Sequence, residues 1–409
     1  MIYRPRYNVA DTPDSFRATA RALAAGRGPF AIDTERASAF RYDDRAFLIQ
    51  IHRRDAGTFL IAPEGHRDEV KAVFAPVINQ GEWVLHAASE DLVSLGMLGL
   101  YPKSVFDTEL AARLCGFQRP NLKAVVHQIL DVELDKTHGR EDWSTTPLPT
   151  AWLEYAARDV VYLNDLADSL AELLERAGLL DAAEQEFSHL VATRSRPAPR
   201  RRTWCDMKGI SSLHTSAGLQ LARVLWEARD CRARETDTSP AAILPTPVLL
   251  AIAKAVPSSP VELARVPGFP GRDTTAVEQW YRLVEGALSE PERTWPTVPP
   301  RSPSAPPTKS VWQRRYPRSW LYLNEARSRV AAAARQLGIP PENLLSPVTL
   351  REVVWQANVE ERSGEISAGD AHSVRNRLLR AGARPWQAGI VAPLLVAADN
   401  EQRSAGREV

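Results

Sequence analysis

Asp33, Glu35, Asp91, Tyr155 and Asp159 are the residues whose types and spacing could do chemistry. Asp33 and Glu35 close the apolar run Phe30-Ala31-Ile32 and stand one residue apart. Alternate residues of a strand share a face, so both carboxylates point one way and Ile32 and Thr34 the other. Like charges held that close raise each other's pKa unless a positive group sits between them. A hard divalent cation such as Mg²⁺ or Mn²⁺ meets that need, and carboxylate oxygens suit it. Asp91 falls in the first turn of a helix that starts just beyond a strand, where α/β proteins collect site residues. Tyr155 and Asp159 are four apart and share a helix face. A tyrosine one turn from a carboxylate positions a water without adding charge. Each piece has a plainer reading alone: a polar strand end, a helix-start acid, a packed tyrosine. Together, four carboxylates and a helical tyrosine can hold two divalent ions a few ångströms apart. One ion would lower the pKa of an attacking water, and the other would stabilise the leaving 3′ oxygen and the pentacovalent phosphate. Phosphodiester hydrolysis is what such a pair does best.

The elements that must position these groups follow from local pattern. Residues 11–25 read as a helix with Thr12 or Ser15 as cap and Phe16, Ala20, Leu23 and Ala24 as its apolar stripe. Strands are expected at 30–35, 46–52 and 57–63, in an order that suggests a mixed sheet beginning with a meander. A helix spans 66–76, a buried strand 83–87, and Ser89 is placed to cap the helix that carries Asp91. Residues 104–116 give a short strand and a helix capped by Thr108 or Asp107, with Asp107 a capping or network residue. Residues 121–131 form an amphipathic helix, and 148–179 form one long helical segment with Thr150 as N-cap. Ala156, Val160, Leu163 and Leu166 supply packing around Tyr155 and Asp159.

Composition sets outer bounds. A chain of 409 residues implies roughly two to four domains, and 44% hydrophobic residues suffice for real cores. The formal charge of +1 gives no global field that would draw nucleic acid, although local patches can hide inside that average. Cys115, Cys205 and Cys231 have no metal-ligand spacing and define no disulfide framework. The first residues, MIYRPRYNVA, lack the apolar core of a signal peptide, and no run is long enough to span a bilayer, so a cytoplasmic protein is the expectation.

The segments AIDTE (31–35), FLIQIH (47–52), VLHAASEDL (84–92), FDTELAARL (106–114), LDKTHGREDW (134–143) and LEYAARDVVYL (153–163) carry a family likeness. Over roughly residues 5–190 the chain resembles ribonuclease D, among the tyrosine-containing DEDD-type 3′–5′ exonucleases. The resemblance implies an α/β, ribonuclease H-like mixed-sheet catalytic domain over 1–192. It implies Asp33, Glu35, Asp91 and Asp159 as ligands of two divalent cations, Mg²⁺ or Mn²⁺. It implies Tyr155 as the group that orients the nucleophilic water near Glu35. The implied substrate is RNA with a single-stranded 3′ end, tRNA precursors included, and the implied products are nucleoside 5′-monophosphates. Action on DNA, or a silent nuclease domain on a nucleic-acid-binding scaffold, are the alternatives.

The second half reads as two all-helical modules. Residues 193–211 are a basic Pro/Arg linker, 212–290 resemble an HRDC domain, 291–309 are a proline-rich linker, and 310–402 look like a second, divergent copy. Candidate nucleic-acid contacts are His86, Lys136, Arg140 and Trp143 near the site, Arg200, Arg201 and Arg202 in the linker, and Arg314, Arg315 and Arg318 in the last module. His86 equally suits an orienting role and Trp143 a loop anchor. Tyr316, Trp320 and Tyr322, interleaved with the arginines, are either stacking platforms or core.

Overall fold

The computed structural model, which describes residues 5–134, 138–195, 202–297, 305–363 and 370–405, builds its amino-terminal part on one mixed sheet. β1 (Asn8–Ala10) lies at one edge and has no signal in the sequence, because three residues are too few to show alternation. α1 (Pro13–Ala25) follows, and its two expected caps act together: Ser15 N–H donates to Thr12 Oγ1 at 3.3 Å while Thr12 N–H donates to Ser15 Oγ at 2.9 Å. β2 (Arg27–Arg36), β3 (Ala46–Arg54) and β4 (Gly57–Ile61) form the expected antiparallel meander. α2 (Arg67–Ile78), β5 (Glu82–Leu85), α3 (Asp91–Gly96), β6 (Ser104–Asp107) and α4 (Thr108–Leu114) come next. Strand order is β1-β4-β3-β2-β5-β6, with β1, β5 and β6 parallel to their neighbours β4, β2 and β5.

Alternation along β2 divides its side chains between two cores. Phe30 and Ile32 pack with Phe16, Leu23, Phe74 and Leu92 from α1–α3. Ala31 packs with Val84, Val160, Leu163 and Ala167 on the other face. That second face is covered by α5 (Leu122–Leu130), α6 (Thr150–Val161), α7 (Leu163–Arg176) and α8 (Leu180–Leu190). The long segment expected over 148–179 is therefore two helices, broken at Tyr162, where the backbone relaxes to φ −97° and ψ −4°. The break lets α6 lie across β2, β3 and β4 while α7 turns toward β5 and α4. Two expected caps also fail: Thr150 is the first helical residue after Pro149, and α3 starts after Glu90 with no side-chain bond, so Ser89 caps nothing.

A helical unit follows: α9 (Ser216–Glu235), α10 (Pro240–Ile243), α11 (Thr246–Ala255), α12 (Pro260–Ala264) and α13 (Thr274–Ser289). Met207, read as linker, is buried in its core beside Leu213. It is fastened to the β2–β3 loop by Asp237, which accepts from Arg45 at 3.0 and 2.7 Å and from Arg41 at 3.4 Å, and by Ser239 N–H donating to Phe40 O at 3.0 Å.

The last unit comprises α14 (Lys309–Arg315), α15 (Pro317–Gln336), α16 (Pro341–Leu344), α17 (Pro347–Ser363), α18 (Ala371–Arg380) and α19 (Pro385–Ala405). Its buried α15 positions 319, 322, 323, 326, 330 and 334 each stand 101 residues beyond the buried α9 positions 218, 221, 222, 225, 229 and 233. Pro240 and Pro341 open the next short helices at the same interval, each closed by a leucine N–H bonded to that proline's carbonyl, at 3.1 and 3.0 Å. The two units differ in what they bury against. The last one shares a core with the amino-terminal part: Trp312, Leu323, Val353 and Leu395 join Leu114 of α4, Leu166 and Leu170 of α7, and Phe187 of α8.

At that junction Gly116, with φ +81°, has Gly338 O so near that a Cβ would stand 2.4 Å from it. Gly116→Ala should therefore lower stability by about 1–3 kcal/mol. Urea titration followed by circular dichroism would measure it, and an unchanged midpoint would show that the junction yields freely.

Candidate metal centre

β2 and α6 meet with their acids face to face. Asp33 and Glu35 share the β2 face that α6 covers, and Asp159 comes from the last turn of α6. One carboxylate oxygen from each lies within 4.8 Å of the other two. A strand that ended in solvent would leave these acids exposed, but Glu35 is buried and Asp33 and Asp159 are half-buried. A register slip after Glu35, where Arg36 pairs with Ala46 instead of Phe47, kinks the strand next to the site.

The electrostatics follow from that enclosure. Burial, and then the charges of Asp91 and Asp159, hold the Asp33 carboxyl well above the ordinary range. Burial, and then Asp33, Asp159 and Asp91, do the same to Glu35. Arg36 opposes both shifts from its position beside them, paired with Glu90 at 2.8 Å. Sequence reasoning missed Arg36; its signal is adjacency to the acid pair.

Asp91 stands beside the three-way cluster, outside its 4.8 Å span. Thr34, on the opposite face of β2 from Asp33, donates its hydroxyl to Asp91 Oδ1 at 2.6 Å, and Ser94 Oγ is 3.2 Å from that same hydroxyl. Burial pushes Asp91 up to about 6, against the Thr34 bond and the Arg36 charge. Asp107, buried at the end of β6, fixes the turn before α3. Its carboxylate accepts from Ala87 and Ala88 N–H at 3.1 and 2.9 Å and caps α4 through Glu109 and Leu110 N–H at 2.9 and 3.2 Å. The network role expected of Asp107 is thus what it does, and Ala87, at φ +62°, is the residue it restrains.

Tyr155, one turn before Asp159, donates its hydroxyl to the Asp159 carboxylate. Burial, and then the charges of Asp159, Glu35 and Asp33, push the phenol far above its ordinary value, so it stays protonated. Its ring lies edge-on to His138 at 5.9 Å and beside Trp143 at 6.4 Å.

The proposed nucleic-acid contacts fare unevenly. Trp143 is 2% exposed and packs against Trp152 at 5.4 Å, so it anchors its loop and offers no face to a base. His86 is half-buried beside Thr108, its Nδ1 2.9 Å from Thr108 Oγ1, a contact that suits the orienting role. Arg140, Arg202, Arg314 and Arg315 are exposed, and Arg318 is exposed and faces Glu361 at 3.4 Å. Lys136, Arg200 and Arg201 lie outside the described residues. The aromatics of the last unit are core: Tyr316 packs edge-on to Trp355 at 4.8 Å, Trp320 lies 6.4 Å from Trp312, and Tyr322 is buried.

Comparisons with known proteins agree with this geometry. Residues 7–175 match the 3′–5′ exonuclease family, 218–275 the HRDC domain, and 305–398 the 3′ to 5′ exonuclease C-terminal domain. A ribonuclease D of Gluconacetobacter diazotrophicus is 33% identical over 222 residues, 51% of this chain and 56% of that protein. One from Granulibacter bethesdensis is 25% identical over 342 residues, 81% of this chain and 82% of that protein. The chain is homologous to ribonuclease D, with a 3′–5′ exonuclease domain and an HRDC domain. The ribonuclease D proteins that head the comparison are matched over only 56% and 58% of their length. A crystal structure of a Bifidobacterium adolescentis protein superposes with a TM-score of 0.82 at 30% identity, over 97% of this chain and 98% of that one. Escherichia coli RNase D has the same fold, with a TM-score of 0.67 at 24% identity over 93% and 100% of the two chains. The expected ribonuclease H-like domain followed by helical modules is therefore the fold of the chain.

The cluster's donors are hard oxygens, and among the described residues no histidine or cysteine joins them, so the set fits Mg²⁺ or Mn²⁺ rather than a thiophilic metal. Asp33, Glu35 and Asp91 bind protons more tightly folded than unfolded. Without cation, the stability they lend is present below the ordinary carboxylate range and is lost as pH rises through their raised values, about 6 for Asp91. Added Mn²⁺ should therefore raise the melting temperature more at about pH 8 than at about pH 5. Thermal melts with Mn²⁺ and with EDTA at both pH values test this, and equal increments would contradict it.

Proposed function

We propose that the chain is a metal-dependent 3′–5′ exoribonuclease that removes nucleoside 5′-monophosphates from single-stranded RNA 3′ ends, including those of structured RNA such as tRNA precursors. The observation that carries this reading is the meeting of Asp33, Glu35 and Asp159 within 4.8 Å, with the Tyr155 hydroxyl bonded to Asp159. The relatives named ribonuclease D support the choice of RNA.

Asp33, Glu35 and Asp159 would hold one divalent ion, and with Asp91 a second. Bound there, Mg²⁺ or Mn²⁺ supplies Lewis acidity toward water and phosphate oxygen. The chain's own residues do the rest. Tyr155, kept protonated, cannot serve as a general base; it donates or accepts a hydrogen bond and so fixes a water near Glu35 without adding charge. Arg36, beside the acids, offsets part of their repulsion. Thr34 holds Asp91 from the opposite side of the strand. The helical unit fastened to the β2–β3 loop through Asp237 would hold the RNA body while its 3′ end enters the acid cluster.

Asp33→Asn and Asp159→Asn should each lower kcat at least about 100-fold, without lowering the melting temperature in EDTA, because each removes a repelling charge. Tyr155→Phe should cost roughly 100-fold in kcat with little change in KM, since it removes a hydroxyl that acts on the water. Release of 5′-monophosphates from matched RNA and DNA, tailed and blunt, measures both claims. Equal rates on tailed and blunt RNA would sink the single-strand preference, and faster hydrolysis of DNA would replace RNA as the substrate.

A further inference from the structure

Gln50 is a buried polar residue with no part in the acid cluster as described. It sits in the middle of β3, is 0% exposed, and neither Nε2 nor Oε1 has a hydrogen-bond partner. An enclosed, unpaired amide forfeits its bonds to water, so a protein core ordinarily puts an apolar side chain in such a place. Its position explains what it is for. β2 and β3 are antiparallel, and their register sets Gln50 directly opposite Asp33. Residues opposite one another across an antiparallel pair share a face, with Cβ atoms about 4.5–5.5 Å apart. Gln50 therefore lies on the α6 side of the sheet, next to an acid of the cluster.

Its strand neighbours on that face offer it no donor-hungry oxygen. Leu48 precedes it on the same face and pairs with Glu35, and Leu60 stands opposite it on β4. Both belong to an apolar patch with Ala156 and Ala157 of α6. His52 follows it on the same face, but its Nδ1 is 2.9 Å from Thr58 Oγ1. Asp33 is the adjacent group with acceptor capacity to spare: its carboxylate takes the Thr34 backbone N–H, and the charges of Asp91 and Asp159 act on it more strongly than that of Arg36.

We infer that Gln50 is a positioning residue for Asp33, its amide N–H bonding the carboxylate oxygen turned away from the cation, directly or through one enclosed water. A neutral donor suits this task. It orients the carboxylate and leaves its charge for the metal, whereas a lysine there would neutralise the ligand. Partners of this kind behind a metal-binding carboxylate typically carry 10–100-fold in metal affinity. The inference rests on the reading of Asp33 as a cation ligand.

The test uses the full-length protein and Mn²⁺ alone, by calorimetric titration, with melting in EDTA alongside. Gln50→Met keeps the volume and removes the amide, and Gln50→Leu serves as a second apolar variant. Wild type should bind Mn²⁺. Both variants should melt in EDTA at or above the wild-type temperature, because an orphaned amide is gone, yet bind Mn²⁺ about 10-fold more weakly. With RNA, saturating Mn²⁺ should recover most of kcat. Asn164, on α7, is a second buried amide with both atoms unpartnered, and it is the control for packing alone. Asn164→Leu should leave Mn²⁺ affinity within about twofold of wild type. Unchanged affinity in both Gln50 variants overturns the inference and leaves the acid cluster standing. An equal loss in Asn164→Leu also overturns it, as an effect of packing. Absence of Mn²⁺ binding by wild type overturns the reading of the cluster as well.

Discussion

Mutual repulsion of carboxylates is the constraint on which the rest of this structure depends. Asp33, Glu35 and Asp159 are brought within 4.8 Å of one another at a partly enclosed place, and Asp91 adds a further charge beside them. Nothing about folding favours this arrangement; burial and like charge both oppose it. It persists because the strand and helices that carry the acids are fixed by packing elsewhere. Phe30, Ile32 and Ala31 lock β2 between two cores, and Ala156, Ala157 and Val160 seat α6 against the sheet. The acids occupy the positions left over on an otherwise apolar pattern.

The supporting parts each solve a local problem. Thr34 uses the reverse face of β2 to hold Asp91, so one strand serves three of the four acids. Asp107 ties the turn after β5 to the start of α4. The break at Tyr162 lets one stretch of helix-forming sequence cover the site with α6 and the β5–α4 core with α7. The carboxy-terminal unit then closes that core from outside, which makes it part of the catalytic fold's stability as well as an added module.

Much of the site was legible because its signals are local. Asp-x-Glu on an apolar strand and Tyr-x-x-x-Asp on a helix declare which residues share a face before any tertiary contact is known. β2, β3, β4 and α1 follow from alternation and capping for the same reason. What sequence could not show depends on contacts far along the chain. Trp143 looks like a stacking residue until Trp152 and Tyr155 are seen to enclose it. The contact of His86 with Thr108 depends on where α4 starts beside β5. Ser89 and Thr150 have the right chemistry for caps, but the chain enters each helix elsewhere. The aromatics near 316–322 suggested a surface for bases, and the shared core claims them instead. Gln50 escaped notice because an amide in a strand reveals nothing until the register names its neighbour.

The most direct measurement is a crystal soaked in Mn²⁺ with a nucleoside 5′-monophosphate, examined by anomalous scattering. A manganese peak bound by Asp33, Glu35 and Asp159 at about 2.0–2.2 Å is expected, with a second toward Asp91 and the phosphate between them and Tyr155. A map with no manganese at these acids, or with the ions held elsewhere, would contradict this arrangement.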